Sequence, residues 1–163
     1  KNAAKYNVLT NCLRIGVTDT KIIKKNPISK PVDINENPII DVTQFEDSRL
    51  YRPMGGTVYR MLPVETIRGC PYTCKFCNSP DQIQLYNDKG GGGFFRKKRM
   101  DLVEKELIYF KDKLKVEYNY FWADTFLAMN SKEFDEFCEM YSKIKLPFWV
   151  QTRSSHILLS GVP

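Results

Sequence analysis

Strand-like runs alternate with amphipathic helical segments from Thr57 onward, and this alternation limits the fold more than any other feature of the sequence. Residues 58–65, 118–122 and 147–151 are rich in β-branched and aromatic side chains, as is typical of strands. Strands that alternate with helices pair in parallel through right-handed crossovers. The sequence therefore predicts an α/β fold in which three parallel strands are joined by two helices, with Pro63 ending or bending the first strand.

Both predicted helices begin with a capping box, in which an N-cap side chain and a glutamate three residues later satisfy each other's backbone N–H groups. The first box is Asp101 with Glu104, and the second is Asn130 with Glu133. Apolar residues then recur at helical spacing and predict one buried face per helix. These residues are Val103, Leu107, Phe110 and Leu114 in the first helix and Phe134, Phe137, Cys138 and Tyr141 in the second.

The segments outside this alternation have less regular patterns. Residues 13–17 and 21–25 are rich in β-branched side chains and flank a short polar stretch, which predicts a β-hairpin. Prolines at 27, 31 and 38 predict an extended linker. Four consecutive glycines at 90–93 predict that residues 81–99 form a poorly ordered loop. We expect residues 1–55 to be a linker or the remnant of an upstream domain and residues 56–163 to form the folded domain.

Three of the five cysteines, Cys70, Cys74 and Cys77, lie within eight residues, and this crowding indicates metal chemistry rather than a disulfide framework. Thiolates hold iron–sulfur clusters, and these spacings allow one loop to bind three irons of a [4Fe-4S] cluster. A structural zinc site needs four protein ligands, and His156, the single histidine, is far along the chain. The alternative that stays open is a non-catalytic iron–sulfur or zinc-binding module. Cys12 and Cys138 stand alone and are interpreted as small buried hydrophobes.

Charge and hydropathy exclude several classes of protein. Lysine and arginine exceed aspartate and glutamate by six, but the charges are spread along the chain, so no nucleic-acid partner is expected. The basic run 97–99 is interpreted as a solvated face, and Glu65 with Arg68 as a local ion pair. No window reaches the roughly 18 uncharged apolar residues of a membrane-spanning helix, and the first residues do not look like a signal peptide. We therefore expect a cytoplasmic protein without a membrane span.

Ligands of parallel α/β folds bind beyond the carboxyl ends of the strands. The segments that leave the three predicted strands are the cysteine loop 70–77, then 123–125, then 151–153. We expect all three to face one site.

The cysteine loop carries a resemblance to a known family. Its pattern is C-x-x-x-C-x-x-C with Phe76 directly before the third cysteine, and it follows the first strand of an α/β chain. In these features it resembles the radical S-adenosylmethionine superfamily. The resemblance implies that Cys70, Cys74 and Cys77 bind a [4Fe-4S] cluster. S-adenosylmethionine then chelates the open iron, and its reductive cleavage yields a 5′-deoxyadenosyl radical.

Roles are also expected for three further residues: that of Phe76 is implied by the resemblance, and those of Asp124 and Arg153 follow from their chemistry and their positions at the strand exits. Phe76 packs against the adenine of S-adenosylmethionine, and Asp124 contacts the cofactor at the exit of the second strand, where the family often has a G-G-E-like segment. Arg153, at the exit of the third strand, pairs with a carboxylate. The implied partners are an electron donor, such as a flavodoxin or a ferredoxin, and a substrate that the sequence does not identify. The alternatives are loop packing for Phe76, a capping or substrate-contacting role for Asp124, and a surface position for Arg153.

The flanking sequence is similar to one subgroup of that superfamily. The residues 68–71, the Pro-rich linker with 38–41, and the segment 121–126 resemble the enzymes that carry an amino-terminal cobalamin-binding domain, such as methyltransferases and ring-rearranging enzymes. This resemblance adds cobalamin as a cofactor, bound by a domain that these 163 residues do not contain. The family domain is a six-stranded partial barrel. We therefore expect an incomplete (βα) barrel, about half of that domain, preceded by an extended linker with a hairpin.

Overall fold

The computed structural model describes residues 27–154 in full, and of 13–15 and 22–25 it describes the backbone. The interpretations of Cys12 and His156 lie outside these residues. The chain divides into two compact units. One comprises the described residues up to Val32 together with Tyr72–Phe94, and the other comprises Asp33–Pro71 and the described residues from Phe95 onward.

The first unit contains a two-stranded antiparallel sheet and one helix. Strands β1 (Leu13–Ile15) and β2 (Ile22–Lys25) pair with Leu13 opposite Lys25, so the structure confirms the two strands of the predicted hairpin. Helix α1 spans Ser79–Lys89, where the sequence analysis predicted mostly a poorly ordered loop. That prediction was wrong because it gave weight to the glycine run and overlooked a proline in the first turn of a helix, a position that suits proline.

Gly90 ends α1 and has no room for a side chain. Its N–H and that of Gly92 both donate to the carbonyl of Tyr86, at 2.9 and 2.8 Å. A Cβ atom on Gly90 would lie 2.7 Å from the ring of Tyr86, which itself stacks on Phe94. The first glycine of the run therefore has a structural role as a helix terminator.

The second unit is built on a four-stranded mixed sheet of order β3-β4-β7-β8. Strands β4 (Thr57–Glu65), β7 (Tyr118–Trp122) and β8 (Phe148–Val150) are parallel, as the alternation predicted. Strand β3 (Tyr51–Met54) pairs antiparallel with β4 through a turn in which Gly55 and Gly56 both have positive φ. Strands β5 (Ile67–Arg68) and β6 (Arg96–Lys97) form a separate antiparallel ribbon.

The fold is therefore mixed α/β with parallel strands, while a partial barrel is not established. The sequence analysis did not predict β3, which falls in the range assigned to the linker. Pro63 does not end β4, since the strand continues to Glu65. The ladder between β3 and β4 covers only Thr57 to Arg60, so at Pro63 strand β4 is paired with β7 alone. A proline is tolerated there because its missing N–H faces the side without a partner strand.

Helix α2 (Met100–Asp112) begins differently from its prediction. Its N-cap is Arg99, and no side chain caps it, so the predicted box of Asp101 with Glu104 is wrong. Asp101 lies in the first turn and forms an ion pair with Arg99 at 3.0 Å. The Arg99 N–H donates to Asn35 Oδ1 at 2.8 Å, a contact across 64 residues that no local pattern reveals. Val103, Leu107 and Phe110 are buried as predicted, whereas Leu114 lies beyond the helix.

Helix α3 (Ser131–Ile144) has the predicted capping box, with both of its hydrogen bonds present. Glu133 N–H donates to Asn130 Oδ1 at 3.0 Å, and Asn130 N–H donates to Glu133 Oε2 at 2.8 Å. The core prediction for Cys138 is wrong, because its side chain is exposed. The buried face of α3 runs through Phe137, Met140, Tyr141 and Ile144.

The main core lies between one face of the sheet and helices α2 and α3. Phe121 of β7 is fully buried, and its ring contacts Phe137 and Tyr141 of α3 at centroid distances of 5.4 and 5.7 Å. Val64 of β4 and Val103 of α2 are also fully buried. None of the described helices is long and apolar enough to cross a membrane.

Candidate metal centre

The carboxyl ends of β4, β7 and β8 lie at one edge of the sheet, because the three strands are parallel. A hydrogen bond of 2.7 Å from Phe126 N–H to the Gln151 carbonyl joins the segments that leave β7 and β8. The structure thus brings the predicted exit segments 123–125 and 151–153 together. Beyond such an edge is the usual place for a ligand in this class of fold.

Asp124 and Arg153, the two candidate ligand-binding residues in these segments, are both exposed. Asp124 projects outward between Ala123 and Thr125, which are buried. An exposed carboxylate between two buried neighbours is held in place by its backbone and is accessible to a ligand. The placement is compatible with a ligand-binding role for both residues and does not distinguish it from the alternative roles.

Two buried hydroxyl groups near this edge were missed by the sequence analysis. Thr66 directly follows β4, and Thr125 lies three residues after β7. Both side chains are buried, and neither Oγ1 atom has a hydrogen-bond partner among the described residues. A buried hydroxyl without a partner is costly, so each one indicates a place for a water or a ligand. The sequence pattern that could have identified both threonines is a small polar residue shortly after a predicted parallel strand.

Cys70 belongs to the second unit and follows the ribbon strand β5. Gly69, between them, has φ +78°, a conformation that favours glycine. Before the turn, Arg68 donates two hydrogen bonds to Glu65, at 2.5 and 2.6 Å, which confirms the predicted local ion pair. The bond with Glu65 also raises the pKa of Arg68. The chain that enters the cysteine loop is therefore fixed by a bidentate contact.

Cys74 and Cys77 belong to the first unit and share one tight turn. Cys77 N–H donates to the Cys74 carbonyl at 3.1 Å. Cys77 lies just before α1, and its Sγ accepts a hydrogen bond of 3.4 Å from Ser79 N–H, with Ser79 Oγ at 3.3 Å. Phe76 is 95% exposed, so its ring is available to a ligand.

The structure does not assemble the three thiols into a site. Among the described residues, no three cysteine, histidine, aspartate or glutamate side chains are grouped so that they could hold a metal ion. The assignment of Cys70, Cys74 and Cys77 as iron ligands therefore stays a prediction from their spacing.

The basic run 97–99 is not the solvated face that was predicted, because its side chains have structural partners and that of Lys98 is only 8% exposed. Lys97 pairs with Glu133 at 2.6 Å, and Lys98 pairs with Glu106 at 2.5 Å. Burial opposes the ionisation of Glu133, but the hydrogen bonds from Lys97 and from the Asn130 backbone outweigh it and lower the pKa of Glu133. Arg99 completes the run with its ion pair to an aspartate in α2. Each cation of the run thus has its own carboxylate.

Comparisons of the chain with models of protein families, with curated proteins and with solved structures gave no match.

Proposed function

We propose that the chain carries the cluster-binding part of a radical S-adenosylmethionine enzyme. The observation that supports this proposal is the position of Cys70, the first cysteine of the C-x-x-x-C-x-x-C loop. It follows β4, the first of three parallel strands whose carboxyl ends share one edge, with only the short ribbon strand β5 between them. Three thiols from one loop leave one iron of a [4Fe-4S] cluster without a protein ligand. A small-molecule ligand could coordinate that open iron.

The donor set fits this cluster better than it fits zinc. A closed zinc site takes four nitrogen or sulfur ligands, and the loop supplies three cysteines and no histidine. The hydrogen bond from Ser79 N–H to Cys77 Sγ is the kind of contact that stabilises a cluster thiolate and tunes its potential. The amino terminus of α1, next to Cys77, carries partial positive charge and suits an anionic cluster.

Cluster binding joins the three sulfurs to one inorganic group. Metal binding and local folding are commonly coupled, since a preformed site is not required when the bonds to the metal stabilise the folded loop. The turn that joins Cys74 to Cys77 already fixes the shorter of the two spacings.

The remaining roles concern the small-molecule ligand. When bound, the cluster supplies one electron for the reductive cleavage of S-adenosylmethionine. Phe76, almost fully exposed beside the third cysteine, stacks on the adenine, since Tyr- and Phe-type rings bind planar groups face to face. Asp124 accepts a hydrogen bond from the amino group of S-adenosylmethionine, and Arg153 pairs with its carboxylate. An electron donor such as a flavodoxin or ferredoxin, and cobalamin on another domain, complete the proposal.

Anaerobic reconstitution with iron and sulfide tests the proposal. We expect about four irons per chain and an electron paramagnetic resonance signal of the reduced cluster that changes when S-adenosylmethionine is added. Cys74→Ala should lose this signal. Cys138→Ala is the matched control: its thiol is exposed on α3, so it should keep the cluster and change stability by less than about 0.5 kcal/mol.

Other outcomes separate the alternatives. A stable cluster whose electron paramagnetic resonance signal does not change when S-adenosylmethionine is added would identify a non-catalytic iron–sulfur module. Purified protein that retains one zinc and takes up no iron would identify a zinc-binding module. Equal loss of the cluster in Cys74→Ala and Cys138→Ala, with both proteins folded, would remove the cysteine loop as the binding site.

A further inference from the structure

The sheet face opposite α2 and α3 is lined with aromatic side chains. Side chains alternate between the two faces of a strand, and Phe121 points to the helices, so Tyr120 and Trp122 point to the other face. Register partners share a face, which places Trp149 of β8 beside Tyr120. We call this set the aromatic face: Tyr59, Tyr118, Tyr120, Trp122 and Trp149.

Contacts between the rings hold the side chains of the aromatic face in place. Tyr120 and Trp149 stack with centroids 4.9 Å apart and planes within 7° of each other. Tyr120 also meets Trp122 edge to face at 6.2 Å. Trp122 is nevertheless 63% exposed, which is unusual for so large an apolar side chain. The rings therefore form a fixed platform that still has open area for another planar group.

The aromatic face contains a cavity of about 270 Å³, which is small for a drug-sized ligand. It is lined by Arg52, Met61, Pro63, Tyr120 and Trp122. Ligand sites are usually apolar and aromatic, with a few placed polar groups, and have volumes of about 300–1,000 Å³. The lining matches this description, and the volume limits the ligand to one or two rings.

Arg52 supplies the polar group of the cavity. It lies on β3 opposite Tyr59, and its side chain forms no hydrogen bond or ion pair with any described residue. Its neighbour Arg60, by contrast, pairs with Asp47 at 2.6 Å. The carboxylate on this face, Glu65, is already bound by two hydrogen bonds to an arginine of β5. One unpaired guanidinium beside an aromatic platform matches a ligand with a single negative charge.

We propose that the aromatic face binds a planar aromatic carboxylate of one or two rings. The ring stacks on Tyr120 and Trp122, and the carboxylate pairs with Arg52 through two parallel hydrogen bonds. Trp122 is the last residue of β7, directly before the exit segment with Asp124. The further assignment of this ligand as the substrate rests on the proposed radical function, whereas the binding itself does not.

The test uses the full chain without iron, and its probe is indole-3-acetate. The chain has two tryptophans, both on the aromatic face, so a ¹⁵N–¹H spectrum gives two indole signals that Trp122→Phe and Trp149→Phe assign. We expect a saturable shift of the Trp122 signal with a Kd of about 1 mM or below. Neutral indole-3-acetamide should bind at least about fivefold more weakly, and non-planar cyclohexylacetate should give no saturable shift.

Arg52→Gln should remove the preference for the acetate over the acetamide. Arg49→Gln, which changes an exposed arginine in the turn before β3, is the matched control and should keep it. Absence of a saturable shift with every probe would overturn the proposal and leave the aromatic face as a packing surface. Equal affinities for the acetate and the acetamide in the unmodified chain would overturn the assignment of Arg52. Because no iron is present, neither result depends on the cluster proposal.

Discussion

The ion pair between Lys98 and Glu106 is almost wholly removed from solvent and offers a sharp test of the electrostatics of this fold. The two side chains are 8% and 7% exposed, and their charged atoms are 2.5 Å apart. Lys98 follows strand β6, and its N–H donates to the Thr66 carbonyl, so the pair joins the end of the ribbon to helix α2. Lys98→Met keeps much of the side-chain volume and removes the charge, which leaves the Glu106 carboxylate buried without its partner.

The expected loss is large because a buried charge is left uncompensated. Removing one partner of a buried ion pair destabilises a protein by about 3–5 kcal/mol. For a chain of this length, that loss lowers the Tm by roughly 6–20 °C. Lys143→Met is the matched control, since Lys143 of α3 pairs with Glu104 of α2 at the surface. Exposed pairs contribute only about 0–1 kcal/mol.

The loss should depend on pH in a defined direction. Burial raises the pKa of Glu106 above its ordinary value of 4.5, although Lys98 opposes the shift. A carboxyl whose pKa is raised by folding contributes stability below its unfolded pKa, and this stability is lost as the pH rises through the folded pKa. Lys98→Met removes the opposing effect and raises the pKa of Glu106 further. The difference between the two proteins should therefore grow as the pH rises above about 4.5.

Urea unfolding followed by circular dichroism, at about pH 4 and at pH 7, measures this difference. We expect a large loss for Lys98→Met at pH 7, a smaller loss at acidic pH, and a loss within about 1 kcal/mol for Lys143→Met at both. The double variant Lys98→Met/Glu106→Met should recover much of the stability, because it buries no charge. Equal small losses for Lys98→Met and Lys143→Met at pH 7 would refute the argument from burial.

Two further predictions concern helix α3. Asn130→Ala removes the acceptor of the capping box and should cost about 1 kcal/mol by thermal unfolding, and an unchanged Tm would mean that the box does not contribute. Tyr141→Phe should cost about 1–3 kcal/mol, because the Tyr141 hydroxyl accepts from Asn119 Nδ2 at 2.9 Å and donates to the Leu146 carbonyl at 3.0 Å. Burial raises the pKa of Tyr141 to about 12, so its contribution is complete below pH 10 and is lost as the pH rises towards 12. A stability difference between Tyr141→Phe and the unmodified chain that stays constant from pH 9 to about 12 would contradict this assignment.

Local patterns in the sequence were enough to predict several features of the fold. The parallel strands follow from apolar runs that alternate with amphipathic segments, since only parallel pairing with crossovers buries both. The capping box of α3 was predictable because its two hydrogen bonds join residues three positions apart. The same locality makes the C-x-x-x-C-x-x-C spacing readable, since it belongs to one loop.

Other features depend on contacts between residues that are distant in the sequence, and these were visible only in the folded chain. The capping pattern at Asp101 looked as good as that at Asn130, yet α2 begins at Met100, directly after Arg99, whose backbone N–H donates to the distant Asn35 side chain. Cys138 is apolar enough for the core, yet the packing of α3 on β7 leaves it outside the buried face. A local pattern lists the residues that can cap or be buried, whereas the long-range contacts decide which of them do.

The candidate sites divide in the same way. The exit segments were predictable from strand order, and the three cysteines as ligands stay a prediction from their spacing. The aromatic face was not, because its rings come from three strands and its arginine from a fourth, and only the register of the sheet brings them together. That the Arg52 side chain has no partner among the described residues is likewise a property of its surroundings, since Arg60 on the neighbouring strand is paired and the residue type is the same. Sequence patterns identify functional residues that are close together along the chain. The pairing and register of the strands determine which distant side chains lie on the same surface.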